Sequence, residues 1–376
     1  MIEFRSGHPD LALLPAAGLL QAARSVLETH GGSALSYGAE QGPGCLIEQL
    51  CRWLAREEER ALPPRQVMIT GGSSQALDML CKIFVNPGDI VLAQCPTYYL
   101  ALRIMREDHQ LNLMPIPEDG EGLQVDALEK TLNELQRRGQ RARLLYLVPT
   151  FNNPSGSTLN DERRRRLVEL AKNYDLLVVE DDVYHQLWYD TPPPPSLYSL
   201  APAGPVVRLG SFSKILAPGL RLGWMQAAPE VIRRCTARGV FESGGGVGQF
   251  TAYLVAAFIE QGLLEQQIRI LRKNYRRRRD ILTDALHHHL PDGCRFLKPQ
   301  GGFFVWLDLP REIDSNCLLP VAEAAGVSYV PGVRFYADGC GQNFSRLNFT
   351  MVEEKELAEG ARRLGAVLRA EIGAPS

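Results

Sequence analysis

Residues 66–94 read QVMITGGSSQALDMLCKIFVNPGDIVLAQ, an apolar run, a glycine-serine turn, an amphipathic stretch, a proline-glycine turn and a second apolar run. QVMIT (66–70) and IVLAQ (90–94) predict buried strands, and the spacing between them predicts a helix from Ser73 to Phe84. The pattern continues downstream. LNLMPI (111–116), LLYLV (144–148), LLVVE (176–180) and VVRLG (206–210) predict further strands, with helices near 97–107, 125–138 and 161–174. Near-continuous apolar strands alternating with helices predict an α/β fold whose mostly parallel sheet is covered on both faces. Ligands of such sheets sit beyond the carboxyl ends of the strands, so the residues just after each strand carry the functional information.

The totals allow this reading. The chain has 376 residues, 45% of them hydrophobic and 22% charged, with 41 basic against 43 acidic residues and a net charge of −2. That balance gives no general reason to expect nucleic acid or an anionic membrane as a partner. Eight cysteines at 45, 51, 81, 95, 235, 294, 317 and 340 form no CxxC pair and no compact framework, which suits reduced thiols. The N-terminus MIEFRSGHPD lacks the basic start and the apolar run of a signal peptide, and no apolar stretch approaches the length of a bilayer span. A cytoplasmic protein is expected.

The second half changes character. A long helical pattern spans roughly 264–289, shorter strands follow at 303–307 and 345–349, and an amphipathic helix covers about 353–370. The expected organisation is an N-terminal segment, 1–42, packed with the small domain and a dimer partner, a large ligand-binding domain, 43–288, and a smaller α+β domain, 289–376. TPPPPS (191–196) reads as a rigid surface loop within the large domain. No internal repeat is present.

Four segments at strand ends are singly weak. TGGSSQAL (70–77) opens a helix, and its amides with the hydroxyls of Ser73 and Ser74 suit an anion, although a helix-capping turn looks the same. PTYYLAL (96–102) offers Tyr98 as a ring face, and NNPSG (152–156) fixes Asn153 in a turn; packing and an ordinary Asn-Pro turn are the plain alternatives. EDDVY (180–184) puts three acids at one strand end, where they repel unless a positive group is near. A protonated heterocyclic nitrogen would serve.

GSFSKILAPGLRLGW (210–224) joins these signals. Ser211, Ser213 and Arg221 supply two hydroxyls and a permanent cation for a phosphate dianion, and Lys214 stands beside them. Phosphate seat, carboxylate and lysine together describe a pocket for pyridoxal 5′-phosphate, with Lys214 as the residue that bonds its aldehyde.

TGGSSQAL, PTYY, NNPSG, EDDVY, SFSKILAPGLRLGW and SRLNF (345–349), in this order, resemble the class I/II aminotransferases of fold-type I, nearest the branch of 2-aminoadipate and kynurenine aminotransferases and MocR-like regulators. The resemblance covers nearly the whole chain and implies a seven-stranded, mostly parallel sheet. It implies transfer of an amino group from an L-α-amino acid to a 2-oxo acid in two half-reactions. It assigns Lys214 as Schiff-base lysine and proton carrier, Asp181 as partner of the pyridine nitrogen, and Tyr184 and Asn153 as partners of the cofactor's phenolic oxygen. Tyr98 stacks on the ring. Ser73, Ser74, Ser211, Ser213 and Arg221 hold the phosphate. Arg346 of SRLNF clamps the substrate α-carboxylate, with Asn153 alongside. Tyr37, in LSYGAEQGPG (35–44), matches a tyrosine that reaches the partner subunit's phosphate site, which implies a homodimer with shared sites. Decarboxylation, elimination or oxidation on the same scaffold, and a MocR-like ligand sensor, are the alternatives.

FESGGGVGQF (241–250) departs from the family, and its glycines either enlarge the pocket or permit a tight turn. RRRR (163–166) and YRRRRD (275–280) read as solvated helix faces, and HHH (287–289) as a poor metal set because consecutive helical residues diverge. Arg5 and His8 lie in a segment that can cover the substrate side chain, and Gly332 and Arg334 belong to a turn.

Overall fold

A computed structural model describes residues 1–202 and 204–372. The central sheet runs in the order 67–70, 223–226, 206–211, 177–181, 142–147, 90–95, 112–119, 122–123. All neighbours are parallel except those of Gly223–Gln226 and of the two-residue Gly122–Leu123. Seven strands have four residues or more, as the resemblance implied, and Gly122–Leu123 folds back on the edge as a short eighth. Gly223–Gln226 is hidden in the sequence because it continues directly from the Lys214 motif.

Burial on both faces explains the apolar strands. Along Ala142–Leu147, Leu145 and Leu147 enter one hydrophobic core, while Leu144 and Tyr146 enter the core on the other face. The helices Ser73–Phe84, Val125–Arg137 and Asp161–Asn173 fall close to their expected bounds. The expected helix near 97–107 is shorter, Tyr99–Arg103, and ends in a wider π turn through Asp108.

The C-terminal strands Arg295–Phe296, Phe304–Asp308, Phe344–Asn348 and Val330–Pro331 form an antiparallel sheet. Gly332–Phe335 is the expected turn, a short 3-10 helix. Arg346 lies opposite Trp306 and Val330 in this sheet, which points it toward the large sheet's strand ends. At the N-terminus, Ile2–Glu3 pairs in parallel with Val327–Ser328. Leu263–His289 packs along the last helix, Glu354–Ile372.

The arginine runs differ from expectation. Arg164 and Arg279 are fully buried, each because carbonyl and carboxylate partners surround its guanidinium. Arg164 donates to the carbonyls of Leu159, Pro149 and Pro195 and so fastens the proline-rich loop to the strand ends.

Candidate active site

A cavity of about 480 Å³ opens at the carboxyl ends of the parallel strands. Eleven residues named from sequence line it: Ser73, Ser74, Tyr98, Asn153, Asp181, Tyr184, Ser211, Ser213, Lys214, Arg221 and Arg346. They come from segments up to 273 positions apart, Ser73 to Arg346 (346 − 73), and meet because each follows a strand of one sheet or faces it from the other.

At the base, Gly72 adopts φ +104° before the helix Ser73–Phe84, a conformation that L side chains rarely take. A Cβ at Gly72 would approach the Arg221 guanidinium to 3.3 Å, so the glycine lets Arg221 lie against the helix start. Free amides, the helix dipole, the hydroxyls of Ser73 and Ser74 and the guanidinium face the same space. Arg221 itself is held by the carbonyls of Pro218 and Gly71 at 3.3 and 3.4 Å.

Asp181 ends its strand in full burial. One carboxylate oxygen accepts the Tyr146 hydroxyl at 2.7 Å, and the other is buried without a partner. Burial pushes the Asp181 pKa up to about 6; the Tyr146 hydrogen bond pulls it down and the Asp182 charge pushes it up. Lys214 donates to the Gly7 carbonyl at 2.9 Å, and burial with the nearby Arg346 charge lowers its pKa to about 8. Arg346 donates to Asn153 Oδ1 at 3.0 Å and to the Arg5 carbonyl at 2.8 Å, and lies over the Phe304 ring. Tyr184 is wedged against Phe303 and Phe304, and burial raises its pKa far above the ordinary value.

The chain's N-terminal segment closes one side. Glu3, Arg5, Ser6, Gly7 and His8 line the cavity, and the carbonyls of Arg5 and Gly7 accept from Arg346 and Lys214, two cations of the cavity wall. Gly7 and Tyr146 escaped the sequence reading. Tyr146 had a signal, a lone hydroxyl in the apolar run LLYLV. Tyr37 stands apart: it is 85% exposed and does not line the cavity of its own chain.

The glycines 244–246 also lie off the cavity. A Cβ at Gly244 would come within 2.4 Å of the Tyr37 ring, and one at Gly246 within 2.0 Å of Phe241. Gly38 N–H donates to the Gly244 carbonyl at 2.9 Å. Gly244 and Gly245 take φ +125° and +90° in a turn, which fits the tight-turn reading and not an enlarged pocket; the packing against residues 37–39 had no signal in the sequence.

Residues 1–364 match the family model described as aminotransferase class I and II. The chain belongs to the class I and II aminotransferases. It is 37% identical to aromatic-amino-acid aminotransferase 1 of Thermococcus litoralis, over 99% of this chain and 89% of that protein. Among solved structures, the kynurenine aminotransferase of Pyrococcus horikoshii is 39% identical with a TM-score of 0.95, covering 100% of this chain and 92% of that one. That structure holds PMP with kynurenine as substrate. The α-aminoadipate aminotransferase of Thermus thermophilus, solved with N-(5′-phosphopyridoxyl)-L-leucine, is 33% identical with a TM-score of 0.90, covering 99% and 93%.

The activity of this aminotransferase is therefore amino-group transfer, and its cofactor is pyridoxal 5′-phosphate. Its cavity fits the cofactor. A lysine with a lowered pKa, a buried carboxylate oxygen lacking a partner, and a glycine-made seat for an anion are the donor set that cofactor requires.

Proposed function

We propose that the eleven cavity residues divide the work of amino-group transfer as follows. Ser73, Ser74, Ser211, Ser213 and Arg221 bind the cofactor phosphate. Asp181 keeps the ring nitrogen protonated through its free oxygen, Tyr98 stacks on the ring, and Asn153 and Tyr184 donate to the phenolic oxygen. Bound there, pyridoxal phosphate supplies an aldehyde for the substrate amine and a ring that draws electrons from the substrate Cα.

Arg346 binds the substrate α-carboxylate bidentately, in place of the Arg5 carbonyl, and so retains the carboxyl group while the Cα proton leaves. Lys214 Nζ takes that proton as general base; burial keeps part of its population neutral near pH 8. The donor leaves as a 2-oxo acid before the acceptor 2-oxo acid enters the same site. The observation that carries this assignment is the convergence of Lys214, the unpartnered Asp181 oxygen and Arg346 on one cavity.

The working unit is proposed as a homodimer that shares its sites. Leu11, Leu20, Leu35, Tyr37 and Val240 are each at least 65% exposed, an apolar set that a second copy would cover, with Tyr37 reaching the partner's phosphate seat. The domain division at 1–42, 43–288 and 289–376 is kept, supported by the separate antiparallel sheet and by the pairing of Ile2–Glu3 with Val327–Ser328. A cytoplasmic setting is supported by eight free cysteines; no helix among the described residues is long and apolar enough to cross a membrane. Single additions of L-amino acids to the cofactor-loaded enzyme test the scheme. The visible band should fall with a donor and return with a 2-oxo acid, and a panel with no response in either direction would refute it.

A further inference from the structure

Behind Asp181, on the opposite face of its strand, lies a buried charge cluster that the proposed chemistry does not use. Consecutive strand residues diverge, so Asp182 points away from the cavity. Its carboxylate meets Arg208 Nε at 2.8 Å and His185 Nδ1 at 3.0 Å. Arg208 also donates to Glu57 at 2.6 Å and to Glu58 and Gln226 at 3.3 and 3.2 Å. The other nitrogen of His185 lies 3.4 Å from Glu57. Arg60 pairs with Glu58 at 2.6 Å.

The imidazole lies between two carboxylates. Asp182, Glu57 and Glu58 carry three negative charges, and Arg208 and Arg60 carry two positive ones. The neighbouring Arg164 and Glu180 lie 3.6 Å apart and fully buried, and burial pushes the Glu180 carboxyl up to about 7. Arg272 sits at the edge, where it donates to the Gln186 carbonyl at 2.6 Å and stacks on Trp188. Among the groups within ion-pair distance of one another, the carboxylates outnumber the guanidinium groups by one unless His185 is protonated, while Arg272 acts on Glu57 from outside that set. A carboxylate oxygen lies within ion-pair distance of each ring nitrogen, at 3.0 and 3.4 Å, and both favour a positive charge on the ring through their charge, not through an aligned hydrogen bond. Burial works against this charge, yet Asp182 and Glu57 outweigh it and raise the His185 pKa.

We infer that His185, held as an imidazolium between Asp182 and Glu57, is a positioning residue that neutralises the cluster behind Asp181 and thereby sets the electrostatic potential at the cofactor. Asp182 adjoins Asp181 in sequence, and its charge raises the Asp181 pKa. With the cluster neutral, Asp181 is the acid left to answer the ring nitrogen. With His185 neutral, an uncompensated negative charge stands behind it. The cluster ties the site to distant elements: Glu57 and Glu58 end the helix Gly44–Glu58, and Arg272 at its edge belongs to the helix Leu263–His289.

The inference rests on Asp181 being the ring-nitrogen partner, and the test separates the two. In the loaded enzyme, the pH titration of the visible band reports the potential at the cofactor. His185→Gln removes a positive charge, which favours the protonated form and should raise the titration midpoint by about one unit. His185→Lys restores the charge and should bring the midpoint back toward that of the wild type. An unchanged midpoint in folded His185→Gln overturns the inference. Carbon-13 NMR of the wild-type histidines, with His185 assigned by its loss in the variant, gives a second reading that needs no cofactor. An imidazolium signal that persists to higher pH than that of a free imidazole supports the inference, and titration at the free value of about 6.5 overturns it. If the Asp181 assignment is at fault instead, Asp181→Asn leaves cofactor affinity and band unchanged.

Discussion

Tyr146 donates its hydroxyl to one oxygen of Asp181 at 2.7 Å and leaves the other oxygen buried and unpaired at the cavity wall. A carboxylate at about 0.06 of its surface exposed, with one acceptor site vacant, is set to receive a donor from a ligand. The pair joins adjacent strands, 142–147 and 177–181, so the donor is fixed by the sheet itself.

Tyr146→Phe tests the supporting bond. A hydrogen bond to the charged form lowers a carboxyl pKa, so its loss moves the Asp181 pKa further above about 6. Equilibrium dialysis should give cofactor binding weakened by about tenfold near pH 6.5, with recovery as pH rises and Asp181 ionises.

Lys214 reacts through its neutral amine. Burial and Arg346 bring its pKa down to about 8, so the folded apoenzyme gains reactive amine as pH passes through 8. Stopped-flow capture of the cofactor by apoenzyme should accelerate across that range and level off above it. Lys214→Ala should lower kcat by about 10²–10⁴-fold through loss of the base.

Arg346→Lys separates substrate from cofactor. Loss of the two-pronged contact should raise KM for the amino donor by about 10–100-fold, the worth of one charged hydrogen bond. Cofactor retention, read from absorbance after dialysis, should change far less, because the phosphate seat at Ser73, Ser74 and Arg221 is untouched and lysine keeps the positive charge near Lys214.

Gly244→Ala probes the glycine run. Gly244 sits at φ +125° with the Tyr37 ring on the side a Cβ would occupy. Backbone strain and displacement of residues 37–39 should cost about 1–3 kcal/mol in thermal unfolding. If Tyr37 serves the partner's site, cofactor affinity should fall as well, and Tyr37→Phe should reproduce that part alone.

Most of the sheet was legible because its parallel strands, buried on both faces, are mostly apolar. Gly223–Gln226 was not, because it runs on directly from the Lys214 motif. The cavity was legible because the strand ends carried distinct short motifs. Burial of charge was far less legible. Arg164 and Arg279 lie in arginine runs that look solvated, and only three-dimensional placement supplies the carbonyls and carboxylates that receive them. Among Glu180, Asp181 and Asp182, the residues alone asked for a positive neighbour, and the family resemblance picked Asp181 for the ring nitrogen without showing what answers the other two. Arg164 answers Glu180, Arg208 answers Asp182, and Asp181 alone faces the cavity. Gly7 acts through its backbone carbonyl 207 positions from Lys214, and a residue that contributes only its carbonyl leaves no side-chain signal.

The central claim is that Lys214 is the residue bonded to the cofactor, and borohydride reduction of the loaded enzyme followed by peptide mass spectrometry tests it most directly. The account predicts a phosphopyridoxyl mass on the peptide carrying Lys214 and its absence in Lys214→Ala. A label on another lysine, or an unlabelled Lys214 peptide from fully loaded enzyme, would contradict it.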